Sequence, residues 1–216
     1  MAPAWTWTWL GLVPYADALA RQRALRDDVI AGRAPDTLLM MEHPPVVTLG
    51  KGAGAEELRT APEALAARGI ALHHVERGGK ATYHGPGQLV GYPIVHVGGA
   101  GVGVARFVAR MGEALAAWLR ARGAEARFDL RCTGVFCPGG KIVSIGIHVS
   151  RGVALHGFAM NLARAVGDAA GGFATIVPCG DANARIATLE GEAGKAPAPA
   201  EAAPSVAEAL REALGR

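Results

Sequence analysis

The residues best equipped for chemistry begin with Cys179, in the stretch Ile176-Val-Pro-Cys-Gly180. Pro178 fixes its own φ, and Gly180 can adopt backbone angles that other residues avoid. A cysteine between them is expected on a shaped turn rather than inside a strand or helix, where its thiol can meet a substrate. The plain alternative is a small apolar packing residue. A nucleophilic role demands more, because a free thiol titrates near pH 8.5 and is mostly protonated at neutrality. Some other group must favour the thiolate. Seven histidines, at 43, 73, 74, 84, 96, 148 and 156, are scattered along the chain, and a Cys–His pair is compatible with that spacing. Lysine is scarce: of 22 basic residues only Lys51, Lys80, Lys141 and Lys195 are lysines. Arginine stays protonated, whereas a buried lysine can give up its proton, so a lysine within an apolar segment invites a chemical explanation.

A second concentration of functional groups lies upstream. The segment Arg77 to Pro93, RGGKATYHGPGQLVGYP, has glycines at 78, 79, 85, 87 and 91 interleaved with Thr82, Tyr83, His84, Gln88 and Tyr92. Such a segment can bring backbone close to a ligand while hydroxyl, amide and imidazole groups point at it. An elaborate structural turn is the bland reading. Phosphate loops do not explain the glycines elsewhere. Gly99 and Gly101 match two positions of a dinucleotide loop, but Val104 stands at the third. Neither HGPGQL nor PGGKIV places Ser or Thr after a Gly-Lys pair, so nothing points positively to ATP. Cys132 and Cys137 lie five apart with no second ligand pair at matching spacing, so they are read as packing residues rather than a zinc site.

These groups need a scaffold, and the hydrophobic pattern supplies one. TWTWL alternates as a strand does, and Pro14 suits the start of a helix with Tyr15, Ala18, Leu19, Gln22, Leu25 and Val29 at helical spacing. TLLMME and VVTLG read as buried strands around the breaker His43-Pro-Pro45. Thr60 and Glu63 form a capping-box pattern before a helix that Gly69 stops. IALHHV and LVGYPIVHV are further strands, and Val104 to Arg122 is the longest amphipathic helix. KIVSIGIHVS and VALHGFAMNL are expected to pair as a hairpin around Arg151-Gly152. Strand blocks outnumber helices and are partly adjacent, which predicts an α/β fold of the α+β kind, with mixed β-sheets and packed helices. The organisation expected is a catalytic domain over 1–189, a Pro/Ala-rich linker over 190–204, and a C-terminal helix over 205–216 capped by Ser205 and Glu208.

Half of the 216 residues are hydrophobic and 19% are charged. A chain of this length buries roughly 70–75% of the surface its unfolded form exposes. The net charge of +3, without a long Lys/Arg run, offers no nucleic-acid surface; it suits an acidic protein partner without demanding one. The N-terminus lacks the pattern of a signal peptide, no run of eighteen apolar residues marks a membrane span, and three cysteines fit a reducing compartment. The cytoplasm is the expected location.

Arg77-Gly-Gly-x-x-Thr82-Tyr83-His84-x-x-Gly87-Gln88-x-x-x-Tyr92-Pro93 resembles the signature of the octanoyltransferases. That family moves an octanoyl group from acyl carrier protein to a lysine of lipoate-dependent enzyme subunits. EHPPVVTLGKG, GGKIVSIGIHVSRGVALHGFAMN and VPCG are similar to further family blocks, in the family's order, and the four cover most of residues 40 to 182. The resemblance implies the fold of the biotin and lipoate protein ligases. It implies a cysteine nucleophile and a lysine that lowers its pKa, roles that fall on Cys179 and Lys141. It places the acyl-binding residues at Arg77, Gly78, Gly79, Lys80, Ala81, Thr82, Tyr83 and His84, at Ser144, Ile145 and Gly146, and at Gly157, Phe158 and Ala159. No cofactor or metal is implied. The implied donor is octanoyl-acyl carrier protein, and the implied acceptors are lipoyl domains of 2-oxoacid dehydrogenases and the glycine cleavage H protein. A monomer without membrane or nucleic-acid partners is expected. The chain departs from the family pattern in a longer segment between Asn161 and Cys179, which lacks the common Asp-Leu near Phe173, and in Asp181, where an apolar residue is more usual. Both departures bear on the rim of the pocket.

On this reading Lys141, desolvated by Ile142, Val143 and Ile145, exchanges a proton with Cys179, and the pair titrates as a unit. Attack on a donor that is already a thioester needs no ATP. Lys141 then accepts the proton of the incoming amine, and N–H groups around Cys179 and Gly78-Gly79 are candidate oxyanion donors. Tyr83, His84 and Tyr92 are expected to wall the acyl channel. The competing expectations are an ATP-dependent lipoate or biotin ligase on the same fold, a non-catalytic fatty-acyl-binding relative, and a thioesterase.

Overall fold

A computed structural model describes residues 5–97, 103–167 and 172–215. In chain order the strands are β1 Trp5–Leu12, β2 Asp36–Glu42, β3 Val46–Leu49, β4 Ala71–His74, β5 Ala81–His84, β6 Gln88–Ile94, β7 Arg127–Asp129, β8 Gly134–Cys137, β9 Gly140–Ser150 and β10 Val153–Asn161. The helices are α1 Tyr15–Ile30, α2 Pro62–Ala67, α3 Val104–Arg120, α4 Arg164–Gly167, α5 Leu189–Ala193 and α6 Pro199–Leu214, with short 3-10 turns at Ala55–Glu57, Gly172–Thr175 and Pro178–Gly180.

Two mixed sheets result. The larger runs β1-β2-β6-β10-β9-β8-β7, and only its β1–β2 pair is parallel; the smaller runs β4-β3-β5, with β3–β4 parallel. The alternation of side chains along each strand divides the core between two faces. Leu38 and Met40 of β2, with Leu89 of β6 and Met160 of β10, pack under α3 and α6. Leu39 and Met41, with Val90, Tyr92 and Ile94, pack under α1 instead. Strands covered on both faces read as unbroken apolar runs, which is why β2, β6 and β10 are buried along nearly their whole length. The hairpin between β9 and β10 turns at Arg151 and Gly152, both with positive φ, 50° and 82°, as a tight two-residue connection requires.

Two ends differ from the local signals. Thr60 caps nothing: α2 starts from Ala61, with no side-chain hydrogen bond at its N-terminus. The stretch 190–204 contains most of α5 and the first turns of α6, which begins at Pro199 rather than at Ser205. Ala202 and Ala203 are fully buried, and small side chains there let α6 lie close against the other core elements. Ser205 is not a cap; its hydroxyl accepts a 2.9 Å hydrogen bond from Trp118 Nε1 of α3. Tertiary packing overrides a composition that reads as linker. Gly99 and Gly101, the dinucleotide-loop candidates, lie outside the described residues, as do residues 168–171 of the segment before Cys179.

Candidate active site

Cys179 occupies the turn Pro178–Gly180 with φ 57° and ψ 15°, and Gly180 follows at φ 73°. Two successive left-handed residues reverse the chain sharply. At a residue with a side chain this conformation costs roughly 1–3 kcal/mol, so the surroundings must enforce it. They do so from two directions. Gly180 N donates to Val177 O at 3.2 Å and Asp181 N to Pro178 O at 3.1 Å. Val177 N donates to Glu57 O at 2.8 Å, which ties the turn to the loop of residues 54–59. Glu57, 1% exposed, ion-pairs with Lys80 Nζ at 2.6 Å and accepts the N–H of Gly54 at 2.6 Å. Lys80 holds the Glu57 carboxyl below its usual range. The Lys80 side chain crosses Gly180 so closely that a Cβ there would lie 2.5 Å from Nζ, which with the positive φ restricts the position to glycine.

Lys141, the second residue of β9, is 7% exposed. Its Nζ donates to the Cys132 carbonyl at 2.9 Å and to Cys179 Sγ at 3.2 Å. The contact spans 38 residues of sequence and is built by the segment after the cysteine. Lys141 N donates to Arg185 O at 2.8 Å, and Ala187 N donates to Lys141 O at 3.0 Å, so residues 185–187 run alongside β9. Among the described residues the hydrogen bond to Cys179 comes from this lysine and not from a histidine, which removes the Cys–His alternative. Cys179 is exposed, so the pair faces a cavity rather than solid core.

That cavity measures about 650 Å³. Besides Cys179 and Lys141 it is lined by Arg77, Gly78, Gly79, Lys80, Ala81, Thr82 and His84, by Ser144, Ile145 and Gly146, and by Gly157, Phe158 and Ala159. Tyr83 is the exception among the expected residues. It lies on the other face of β5, packed edge-on to Phe173 at 5.5 Å and within the cluster of Val47, Leu49 and Leu65. Strand alternation is the reason: with Thr82 and His84 turned to the cavity, the residue between them must turn away. Tyr15, Val104, Val108, Phe136 and His156 also line the cavity, and sequence reasoning placed none of them there. Tyr15 carried a signal only as the first apolar residue of a helix, and His156 as a residue inside a strand. Asp181 and Asn183 stand at the rim, where the Asp181 carboxylate accepts the N–H of Asn183 at 2.9 Å.

The polar groups of the cavity wall and those packed behind it are buried and interlocked. Arg77 is 8% exposed and donates from Nη2 to both oxygens of Thr48, at 2.7 and 2.8 Å, and from Nη1 to Gly78 O at 3.1 Å. Burial draws its pKa down, though a guanidinium stays charged. Burial pushes His84 down to about 3, aided by His43, and its Nδ1 lies 2.7 Å from Gln88 Oε1. Gln88 Nε2 donates to Asn161 Oδ1 at 2.8 Å, and Asn161 Nδ2 to Ala187 O at 3.1 Å, so the floor is linked to the segment that seats Cys179 against Lys141. His43 is pushed down to about 4 by burial. A neutral His43 donates from Nδ1 to Val13 O at 2.6 Å and accepts the Tyr92 hydroxyl at Nε2, 2.7 Å away.

Of the other cysteines, Cys132 lines the cavity and supplies its carbonyl to Lys141. The Cys137 thiol is pushed up to about 11 by burial and by Glu192 and Glu125. Among the described residues no group of three or more His, Cys, Asp or Glu side chains is arranged to hold a metal, and no helix is long and apolar enough to cross a membrane.

Residues 14–211 match the family described as the lipoyl protein ligase A/B catalytic domain. An octanoyltransferase of Acidobacterium capsulatum is 41% identical over 202 residues, covering 88% of this chain and 80% of that protein. An octanoyltransferase of Clavibacter sepedonicus is 42% identical over 212 residues, covering 94% of this chain and 86% of that protein. Among solved structures, a lipoate-protein ligase A bound with ATP superposes with a TM-score of 0.73 at 20% identity, over 100% of this chain and 86% of the other. The biotin protein ligase of Aquifex aeolicus does so with a TM-score of 0.55 at 13% identity, over 97% and 69%. At such identities the likeness concerns the fold alone, and the fold is the one that lipoate and biotin ligases share.

Proposed function

The chain belongs to the lipoyl protein ligase A/B catalytic-domain family, and from that premise we propose that it is an octanoyltransferase working through an acyl thioester on Cys179. The observation that carries the reading is the 3.2 Å contact between Lys141 Nζ and Cys179 Sγ at a cavity lined by aliphatic, glycine and aromatic residues. The donor is octanoyl-acyl carrier protein. The sulfur of Cys179 attacks the donor's thioester carbonyl, a new S–C bond forms, and the carrier's thiol leaves with a proton from Lys141. One thioester replaces another, so the step needs neither ATP nor a metal.

The neutral amine of an acceptor lysine then attacks the acyl-enzyme. Lys141 takes its proton, the C–S bond breaks, and an amide remains on the acceptor. N–H groups of Cys179 and of the Gly78-Gly79 turn are the candidate donors to the oxyanion of both tetrahedral intermediates. Negative charge on sulfur or oxygen meets a cation in the Lys141 ammonium and in the buried Arg77. Arg77, Gly78, Gly79, Lys80, Ala81, Thr82 and His84, with Ser144, Ile145, Gly146, Gly157, Phe158 and Ala159, form the acyl site. At about 0.8 kcal/mol per buried CH₂, six methylenes add roughly 5 kcal/mol to binding. The acceptors are lipoyl domains of 2-oxoacid dehydrogenases and the glycine cleavage H protein, and the cytoplasm is the proposed setting. One chain carries every group named, so a monomer suffices.

The test is transfer from octanoyl-acyl carrier protein to an apo lipoyl domain, with and without ATP. ATP-independent acylation of the acceptor is expected. A requirement for ATP would assign the chain to the ligases, and release of free octanoate without acceptor acylation would make it a thioesterase.

A further inference from the structure

The two edges of the seven-stranded sheet are built differently. One edge is β7, three residues long, with Arg127 and Asp129 at its ends and Arg131 just beyond, ion-paired to Asp129 at 3.0 Å. Short, charged edges of that kind resist pairing with another chain. The other edge is β1, eight residues reading WTWTWLGL, with neither a charge nor a proline. Its inner side pairs with β2, and among the described residues no strand covers its outer side. The regular ladder to β2 runs from Trp5 to Trp9; beyond it the register shifts, and Gly11 takes φ 72°. Trp5 and Trp9 pack against the core cluster beneath α3 and α6. Alternation puts Trp7 on the same face, yet it is 39% exposed. A large apolar side chain therefore meets water at an edge that carries nothing to keep a second strand away.

The regular stretch, Trp5-Thr6-Trp7-Thr8-Trp9, reads the same in both directions. Two such strands set antiparallel about a twofold axis at Trp7 place Trp7 opposite its own counterpart, Trp5 opposite Trp9 and Thr6 opposite Thr8. Every cross-strand pair is then aromatic with aromatic or threonine with threonine, combinations that stabilise antiparallel pairs, and no like charges meet. All the indoles fall on one face of the joined sheet and all the hydroxyls on the other.

We propose that β1 is a self-pairing edge, through which a second copy of this chain joins the first as an antiparallel strand about a twofold axis at Trp7. The palindrome favours a second copy over an unrelated strand, because a closed twofold contact uses the same patch twice. Lys141 stands on β9, with β2, β6 and β10 between it and β1, so each copy keeps its own complete site. Five paired residues make a small interface beside the roughly 1,200 Å² that stable complexes bury, so the association is reversible and depends on concentration.

Sedimentation velocity of the full chain, from low to high micromolar concentration, is expected to pass from monomer to dimer. Trp7→Lys sets two like charges against each other at the axis, and Thr8→Lys puts a charge on the opposite face. Each is expected to weaken dimerisation by about tenfold or more, with the thermal midpoint and the acyl-transfer rate per chain unchanged. Trp7→Cys is expected to link to its own counterpart on oxidation, because directly opposite Cα atoms lie about 4.5–5.5 Å apart, within disulfide reach. Leu12→Cys is at a more exposed position, but its counterpart lies far along the paired strands, so it is expected to stay unlinked. Peptide mapping separates these links from any at the exposed Cys132 and Cys179. A wild-type chain that stays monomeric throughout, or a dimer that survives both lysine variants, would overturn the proposal. Growth beyond the dimer, or linking at Leu12→Cys equal to that at Trp7→Cys, would overturn the twofold axis at Trp7.

Discussion

Gly134 of β8 faces Lys141 of β9 so closely that a Cβ on the glycine would lie 2.3 Å from Lys141 Cε and 3.0 Å from Nζ. The lysine reaches Cys179 because the residue beside it has no side chain. Gly134→Ala is therefore expected to displace the ammonium, and, because the Cβ would also lie 2.5 Å from the backbone oxygen of Val143, to strain the pairing of β8 with β9. Misplacement on the scale of 1 Å costs about 10²-fold in rate. Single-turnover formation of the acyl-enzyme would measure this, with the thermal midpoint as the control for folding. An unchanged rate would mean that the position of Lys141 does not matter.

Lys141→Arg keeps a positive charge but cannot return a proton at neutral pH. If Lys141 acts as acid and base, both acylation and transfer should slow by roughly 10²–10⁴-fold. Separate measurement of the two half-reactions checks this. Full activity in the arginine variant would reduce Lys141 to an electrostatic partner.

Glu57 touches no substrate, yet it holds Lys80 over Gly180 and accepts the N–H of Val177 beside the cysteine turn. Glu57→Gln keeps the backbone bond to Val177 but removes the charge that holds Lys80 over Gly180, and is expected to lower kcat several-fold by loosening the cysteine turn. A rise in KM alone would place its effect at the pocket instead.

The buried histidines set the pH dependence of stability. His43 and His156 are pushed down to about 4 and His84 to about 3, in each case first by burial. In the unfolded chain they titrate near 6.5. Between these values the unfolded state binds more protons than the folded one, so stability is complete above about pH 6.5 and falls as the pH drops toward 4. Each histidine contributes a slope approaching about 1.4 kcal/mol per pH unit within that window. Denaturant midpoints at pH 7.5, 6 and 5 would show the fall, and His43→Gln should flatten it. A flat profile from pH 7.5 to 5 would contradict the neutral, buried state of all three.

Much of this was legible before any coordinates, because the signals are local. Pro178 and Gly180 announced a turn, Arg151-Gly152 a hairpin, and the unbroken apolar runs of β2 and β6 announced strands covered on both faces. The mixed α+β architecture followed from those blocks. What escaped is decided by packing at a distance. Tyr83 sits amid cavity residues in sequence, but the register of β5 against β3 turns it away. His156 hides a left-handed backbone inside a strand pattern, and only Gln22 and Tyr15, more than 130 residues earlier, reveal what holds it. The alanines of α6 have the composition of a linker, and their burial depends on a partner surface that no local window contains. The meeting of Lys141 with Cys179 depends likewise on residues 185–187 lying along β9, a pairing that no motif encodes.

The most direct measurement is the intact mass of the enzyme after mixing with octanoyl-acyl carrier protein, followed by addition of an apo lipoyl domain. The expected result is a gain of one octanoyl group, located on Cys179 by peptide mapping, absent in Cys179→Ala, and passed to the acceptor when it is added. Acceptor octanoylation at the wild-type rate by Cys179→Ala, or an adduct that maps elsewhere, would contradict the thioester on Cys179.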